Sequence, residues 1–375
     1  MSFVWIFALL SAFCWLLFIY PYLIYPLVLS LFSRKPVNAA PADFRVSLLF
    51  SAYNEVEALP DKLANLRQLK ASRPELEILV YDDSSSDGTS ELLAEAGDLV
   101  TVIQGAGRTG KAAGMKRLAA AASGEILVFT DANVRLASDA IERLMPYYAD
   151  PQVGGVCGLL QYVSPQSSTT SEVGSAYWRL EELIRSRESA SGDVMGADGS
   201  IFSVRKSLYP VFPDTVLDDF TVSMSVIFAG KRLIKAADVL AFENSVAHRD
   251  EEVRRKMRIG ARAYHTHAYL RAQLRQMSLR NRVKYVSHKL LRWFGGVSFA
   301  LGAVFALSAI ALVSIPAAAI AAGLGALVLV ISIRFRAGII STVGEILLST
   351  FATLFGVVQG MRGRTVATWS PAKSR

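Results

Sequence analysis

Apolar positions follow two regimes along the chain. Uncharged runs long enough to cross a bilayer lie toward both ends, and shorter runs alternating with amphipathic segments fill the middle. No charged side chain precedes Arg34, and residues 3–31 are one apolar run broken only by Pro21 and Pro26, which predicts a membrane helix. A cleaved signal peptide fits less well, because the run lacks a basic start and exceeds the usual apolar core of such peptides. A second block, 295–333, breaks only at Ser314-Ile315-Pro316, the pattern of two spans joined by a turn. Residues 338–358 are apolar but contain Glu345, which predicts an interfacial or re-entrant helix.

Between these ends, apolar runs at 46–50, 76–81, 100–103 and 126–129 alternate with helical patterns at 59–70, 90–96, 111–122 and 137–148. This βαβα order predicts an α/β domain on a largely parallel sheet, whose ligands bind at the carboxyl ends of the strands.

Charge orients the arrangement. Arg34 and Lys35 follow the first run, Arg292 precedes the second block, and Arg334 and Arg336 follow it. Positive flanks place residues 34–292 in the cytoplasm and the N-terminus outside. A crossing at 338–358 would carry Arg362, Arg364, Lys373 and Arg375 to the wrong side. The net charge of +8 is concentrated between Arg249 and Arg292, where juxtamembrane cations meet anionic lipid rather than nucleic acid. Cys14 and Cys157 are the only cysteines, so no disulfide framework or cysteine zinc site is expected. His248, His265, His267 and His288 show no metal-ligand spacing and read as surface or interfacial residues.

Polar motifs end the predicted strands: Ser51-Ala52-Tyr53-Asn54-Glu55 the first, Asp82-Asp83 the second, Thr130-Asp131-Ala132-Asn133 the fourth. Carboxylates converging on one crevice repel one another unless a cation or hydrogen-bond donors share it, which suits a divalent ion with oxygen ligands and a diphosphate. Gly105-Ala106-Gly107-Arg108-Thr109-Gly110-Lys111 adds flexible backbone and two cations without P-loop spacing. Plainer readings exist for several of these residues: Asp87, Asn133 and Asp219 suit helix N-caps, and Tyr53 and Trp178 suit a core.

With Gly196-Ala197-Asp198-Gly199-Ser200 and Asp218-Asp219-Phe220, these motifs run in the order seen in family 2 glycosyltransferases. The chain resembles that family over about residues 44–293, most closely its membrane-bound branch, which includes cellulose, chitin and hyaluronan synthases and bacterial exopolysaccharide enzymes. The resemblance implies a GT-A type, Rossmann-like nucleotide-sugar-binding domain between N- and C-terminal transmembrane helices. Its divisions are a membrane helix at 1–33, a cytoplasmic catalytic domain at 34–250, basic amphipathic interfacial helices at 251–294, a membrane or interfacial region at 295–360 and a basic tail at 361–375.

The same resemblance implies roles. Tyr53, Glu55 and Asp83 would contact the nucleoside, with Asp82 ordering their loop. Lys111, Arg255 and Arg258 would face the diphosphate, with Arg258 the one residue left of the family's Gln-x-x-Arg-Trp element. Asp131 and Asn133, at the ends of the family's Asp-x-Asp motif, would hold Mg2+ or Mn2+, although an amide in place of the second acid brings no charge. Gly196, Ala197, Asp198 and Gly199 would floor the acceptor site, with Trp178 a candidate stacking surface. Asp219 would be the base, with Asp218 raising its affinity for a proton.

The implied enzyme is a metal-dependent inverting glycosyltransferase at the inner, cytoplasmic membrane. It takes a nucleotide sugar, expected to be a UDP-sugar, and a lipid-linked or glycan acceptor, contacts membrane lipid and binds no nucleic acid. A processive synthase is the nearest alternative, and export or polymerisation is left to a partner or a homo-oligomer. Two non-enzymatic or unrelated readings remain: a nucleotide-sugar sensor on the same fold, against which Asp219 argues, and a phospho-acceptor receiver domain, which leaves Asp218-Asp219-Phe220 and the membrane blocks unexplained.

Overall fold

The structure, a computed structural model, describes residues 2–163, 169–244, 249–334 and 338–365. His248, Arg336, Lys373 and Arg375 lie outside the described residues.

Eight strands form one sheet: β1 (Val46–Ala52), β2 (Glu77–Asp82), β3 (Thr101–Gln104), β4 (Ile126–Thr130), β5 (Arg135–Leu136), β6 (Val153–Val163), β7 (Ile201–Arg205) and β8 (Arg232–Asn244), in the order β3-β2-β1-β4-β7-β6-β8-β5. The expected βα alternation builds the parallel half, β3-β2-β1-β4. The other half is mixed, because β7 runs antiparallel between β4 and β6 while β8 is parallel to β6. The sheet is therefore less parallel than the alternation predicts. β1, β2 and β4 are nearly all buried, which explains why they read as continuous apolar runs. The pattern predicted as one helix over 137–148 forms helix Ala140–Leu144 and a 3-10 turn, Met145–Ala149, since Pro146 cannot donate the backbone bond that would continue it.

Helix Ser2–Ser30 is long and apolar, as are Ile315–Arg334 and Gly338–Met361, and each is long and apolar enough to cross a membrane. Helix Gly295–Ala311 follows Leu279–Trp293 across a bend of 64°. Helix Gly338–Met361 packs along helix Arg249–Tyr269 at very short range: a Cβ on Gly356 would stand 2.0 Å from the Met257 carbonyl oxygen, and one on Gly360 2.4 Å from that of Ala261. Glycine is what lets these backbones touch. One side of the basic helix expected to lie at the interface is thus covered by the last helix around Met257 and Ala261.

Candidate functional site

The loops after β1 and β2 are knitted into one rim. Asn54 N–H donates to Ser85 Oγ at 3.1 Å, Asn54 Oδ1 accepts from Ser86 N–H at 2.9 Å, and Glu55 N–H reaches Thr89 Oγ1 at 2.9 Å. Asp87 accepts from Val56 N–H at 3.1 Å and from Thr89 N–H and Oγ1 at 3.1 and 2.6 Å. It is therefore a rim clamp that also takes the first backbone N–H of helix Thr89–Glu95, whose N-cap is Gly88 rather than Asp87. Burial works against its charge, but these donors hold its carboxyl below the ordinary range.

The paired carboxylates that end β2 diverge. Asp82 is fully buried and accepts from Ser85 N–H and Oγ at 3.0 and 2.7 Å, and from Ser90 Oγ. Asp83 turns to the glycine-rich loop and accepts from Thr109 N–H at 2.6 Å and Gly110 N–H at 2.8 Å. Fixing Gly110 fixes the next residue, Lys111, at the start of helix Lys111–Ala121. In the same loop the Arg108 guanidinium lies over the Tyr53 ring, 3.5 Å from its centroid.

Lys111 Nζ pairs with Asp131 Oδ1 at 2.5 Å. Burial disfavours its charge, but Asp131, Asp218 and Asp219 together hold it protonated beyond the usual lysine range. Gly199 marks where these groups meet: a Cβ there would lie 2.9 Å from Lys111 Nζ, 3.4 Å from Asp131 Oδ2 and 3.6 Å from Asp219 Oδ2. A cation and two carboxylates from three separate elements thus surround one space that a side chain would fill.

Asp218 and Asp219 open helix Asp218–Phe228 in its first turn, after Leu217 as N-cap, so neither is the capping residue. Asp219 Oδ1 takes the Phe220 N–H at 2.6 Å. Burial, then repulsion from Asp218, raises its pKa from 3.8 to about 6, with Lys111 pulling the other way. Arg262, missed by the sequence reading, also lowers it. Arg262 is buried on helix Arg249–Tyr269 and donates to Val216 O at 2.8 Å, while Thr266 Oγ1 accepts from Leu217 N–H at 2.9 Å. The helix thereby braces the segment carrying the two acids. The available signal was spacing, since Arg254, Arg258 and Arg262 recur every four residues on one helix face. A second missed residue, Lys62, is fully buried behind β4 and donates to Val134 O at 2.5 Å and Thr130 Oγ1 at 3.3 Å. Burial drives its pKa down to about 7 despite the pull of Asp131.

Other predicted residues are engaged elsewhere. Asn133 is no N-cap: it precedes β5, and its Nδ2 donates to Glu243 Oε1 at 2.8 Å. Arg255 bonds Tyr162 and pairs with Glu252 at 3.4 Å, while Arg258 is half-buried on the same helix. Asp198 binds Arg185 and Ser200, on either side of the Gly199 space. Trp178 Nε1 donates to Leu160 O at 3.0 Å, and its ring packs edge-on against Tyr162. His288, expected at a surface or interface, is buried, because carboxylates face both its nitrogens.

Among the described residues, no three His, Cys, Asp or Glu side chains form a closed metal cage. A hard divalent ion here would find the carboxylate of Asp131, now paired with Lys111, and the amide oxygen of Asn133, whose nitrogen is bonded to Glu243, so most of its shell would have to come from other oxygens, as such ions commonly take few protein ligands beside phosphate.

Residues 47–210 match Glycosyl transferase family 2. A beta-monoglucosyldiacylglycerol synthase from Trichormus variabilis is 34% identical over 117 residues, 30% of this chain and 25% of that protein. A poly-beta-1,6-N-acetyl-D-glucosamine synthase from Staphylococcus aureus is 28% identical over 202 residues, 50% of this chain and 47% of that protein. The chain thus spans no more than about half the length of these curated relatives. Among solved structures, a mannosyltransferase from Pyrobaculum calidifontis in complex with GDP-Man and Mn2+ superposes with a TM-score of 0.73 at 21% identity, covering 96% of this chain and 99% of that one. The sheet and its flanking helices are the GT-A type fold, and the part of the chain similar to glycosyl transferase family 2 is residues 47–210.

Proposed function

We propose that the chain is a membrane-bound inverting glycosyltransferase that moves one or a few sugars from a nucleotide sugar to a lipid-linked or short glycan acceptor in cell-surface polysaccharide synthesis. The observation that carries this reading is the convergence of Lys111, Asp131 and Asp219 on the open space at Gly199. Tyr53, Glu55 and Asp83 line the nucleoside side, with Asp82 ordering the rim. Lys111 meets the diphosphate, with Arg255 and Arg258 on the helix behind it. Asp131 and Asn133 hold the divalent ion, which, when bound, offsets negative charge on the diphosphate.

Asp219 takes the proton from an acceptor hydroxyl as that oxygen bonds to the anomeric carbon. The bond from this carbon to the diphosphate breaks on the opposite face, and its electron pair leaves with the nucleoside diphosphate. A carboxylate whose pKa is raised toward neutrality is a better base than an ordinary aspartate and is still largely ionised at neutral pH. Lys111 stabilises charge on the leaving group. Gly196, Ala197, Asp198 and Gly199 form the floor on which the acceptor rests, with Trp178 at its margin.

The donor is proposed to be a UDP-sugar, and the GDP-Man bound by the Pyrobaculum enzyme makes a guanosine donor the natural control. A short product agrees with the glycolipid named for the Trichormus relative and with Ile259, which stands where the family's long-chain synthases carry a stacking tryptophan. The test is nucleoside diphosphate release by the purified chain in vesicles, with UDP-glucose, UDP-N-acetylglucosamine and GDP-mannose, each with Mn2+ or Mg2+, followed by sizing of the product. Metal-dependent release with short products supports the proposal. Long polymer inside vesicles whose catalytic domains face outward would replace it with a processive synthase, as the Staphylococcus relative's name would suggest. No release with any donor would remove the enzymatic reading.

A further inference from the structure

A series of buried polar contacts runs from the first membrane helix to the floor of the site. Tyr25, fully buried on helix Ser2–Ser30, donates its hydroxyl to Glu188 Oε1 at 2.6 Å. His288 Nδ1 lies 2.9 Å from that same oxygen, and His288 Nε2 lies 2.9 Å from Glu181 Oε1. Arg185 Nε then reaches Glu181 Oε1 at 3.0 Å, and its Nη1 reaches Asp198 Oδ2. Asp198 Oδ1 accepts from Ser200 N–H at 3.1 Å and from Ser200 Oγ. The Ser200 carbonyl accepts from Thr130 Oγ1 at 2.9 Å, and the residue after Thr130 is Asp131.

Side branches hold the series in place. Met195 N–H donates to Glu188 Oε2 at 3.0 Å, Lys284 Nζ to the Glu188 and Asp193 carbonyls at 2.8 and 3.1 Å, and Arg292 Nη1 to Glu181 Oε2. Burial opposes the charge on Glu181, yet His288, Arg292 and Arg185 hold its carboxyl well below the ordinary range. An apolar cluster could fill this volume with equal or better stability, because buried ions lose much of their attraction to desolvation. Ionic contacts add direction: each fixes the angle and distance of the next. Gly199 lies between two residues that the series grips, Asp198 and Ser200, so its placement against Lys111, Asp131 and Asp219 is the last consequence of the series.

We propose that Tyr25, Glu188, His288, Glu181, Arg185 and Asp198 form a positioning relay through which the first membrane helix sets the floor of the acceptor site. The inference rests on the transferase reading given above. These residues touch no reacting atom; they act through Gly199 and the groups around it.

The experiment is a double-mutant cycle in the full chain, reconstituted in vesicles of phosphatidylethanolamine, phosphatidylglycerol and diacylglycerol. Tyr25→Phe, Asp198→Asn and the double variant are compared with the parent by nucleoside diphosphate release, using the nucleotide sugar the parent turns over. Tyr25→Phe removes one hydroxyl far from the crevice and is expected to lower kcat about tenfold with donor KM unchanged, since small misplacements are costly in rate. Asp198→Asn is expected to do at least as much, and the double variant to be no worse than the poorer single one, the sign of a shared path. Should Asp198→Asn fail to purify folded, Ser200→Ala takes its place. Parental kcat in Tyr25→Phe, or strictly multiplicative losses, would overturn the relay while leaving the transferase reading intact. A parent that releases no nucleoside diphosphate would instead end that reading, and the relay with it.

Discussion

The donor rim and the membrane-side network are both dense in hydrogen bonds to carboxylates, but they are built differently. At the rim, Asp83 reaches Thr109 across 26 positions and Asn54 reaches Ser85 across 31, and the donors are backbone amides and hydroxyls. On the membrane side, Tyr25 and Glu188 are 163 positions apart and Glu181 and Arg292 are 111 apart, and buried charge meets buried charge. The rim leaves Asp131 and Asp219 facing one another's space with a single lysine between them, free to meet a ligand. The network spends its carboxylates on internal cations. The difference separates a crevice whose acids line an open space from a frame whose carboxylates are already taken up by buried cations.

The largest effect that would sharpen this contrast is on the rim side. Asp219→Asn is expected to cut kcat by about 10²–10⁴-fold, the usual contribution of a general base, while equilibrium donor binding is retained. Substantial residual turnover would move the base to Asp218. The counterpart is Arg185→Ala, which takes from Asp198 its buried guanidinium partner and from Glu181 one of the buried cationic groups around it, and is expected to destabilise the chain by about 3–5 kcal/mol, read by denaturant or thermal unfolding in detergent. An unchanged unfolding midpoint would show that the network is not the frame.

Smaller effects test the ion. Asp131→Ala is expected to abolish the Mn2+ dependence of donor binding, and Asn133→Asp to tighten Mn2+ binding without donor by about tenfold through added ligand charge; calorimetric titration reads both. If Asp131→Ala binds Mn2+ and donor like the parent, the motif is misassigned. The smallest effect is a linkage. Because the Asp219 pKa is raised from 3.8 to about 6, its contribution to stability is fully present below pH 3.8 and is lost as pH rises through about 6. In metal-free, donor-free protein, this part of the pH dependence of melting should vanish in Asp219→Asn. An identical pH profile in parent and variant would contradict the assignment.

The same contrast explains what could be read from the sequence. β1, β2 and β4 were legible because buried parallel strands are continuous apolar runs, β3 because even this part-exposed edge strand keeps a short apolar run, and their motifs because each loop carries its own chemistry within a few residues. The antiparallel insertion of β7 between β4 and β6 was not legible, since its register depends on partners far along the chain. Nor was the role of Asp198: in sequence it is one acid in a glycine-rich turn, and only the fold brings Arg185 to it. His288 reads as an ordinary basic-helix residue because Glu181 and Glu188 are more than a hundred positions away. Arg262 was hidden for a milder reason. Its helix carries so many cations that the one turned inward toward Val216 does not stand out.

The most direct test of the central claim, that Lys111, Asp131 and Asp219 share one reaction space, is Gly199→Ala. The added methyl would stand 2.9 Å from Lys111 Nζ, the end of a flexible side chain that can yield, so the fold should survive. The space, however, would be partly filled, and the Lys111–Asp131 pair would have to shift. The measurement is kcat for nucleoside diphosphate release by the reconstituted variant, with its melting temperature taken alongside. A loss of about 100-fold in kcat at parental melting temperature is the predicted result, in line with the cost of displacing reacting groups by about an ångström. Parental kcat in a folded Gly199→Ala chain would contradict the account.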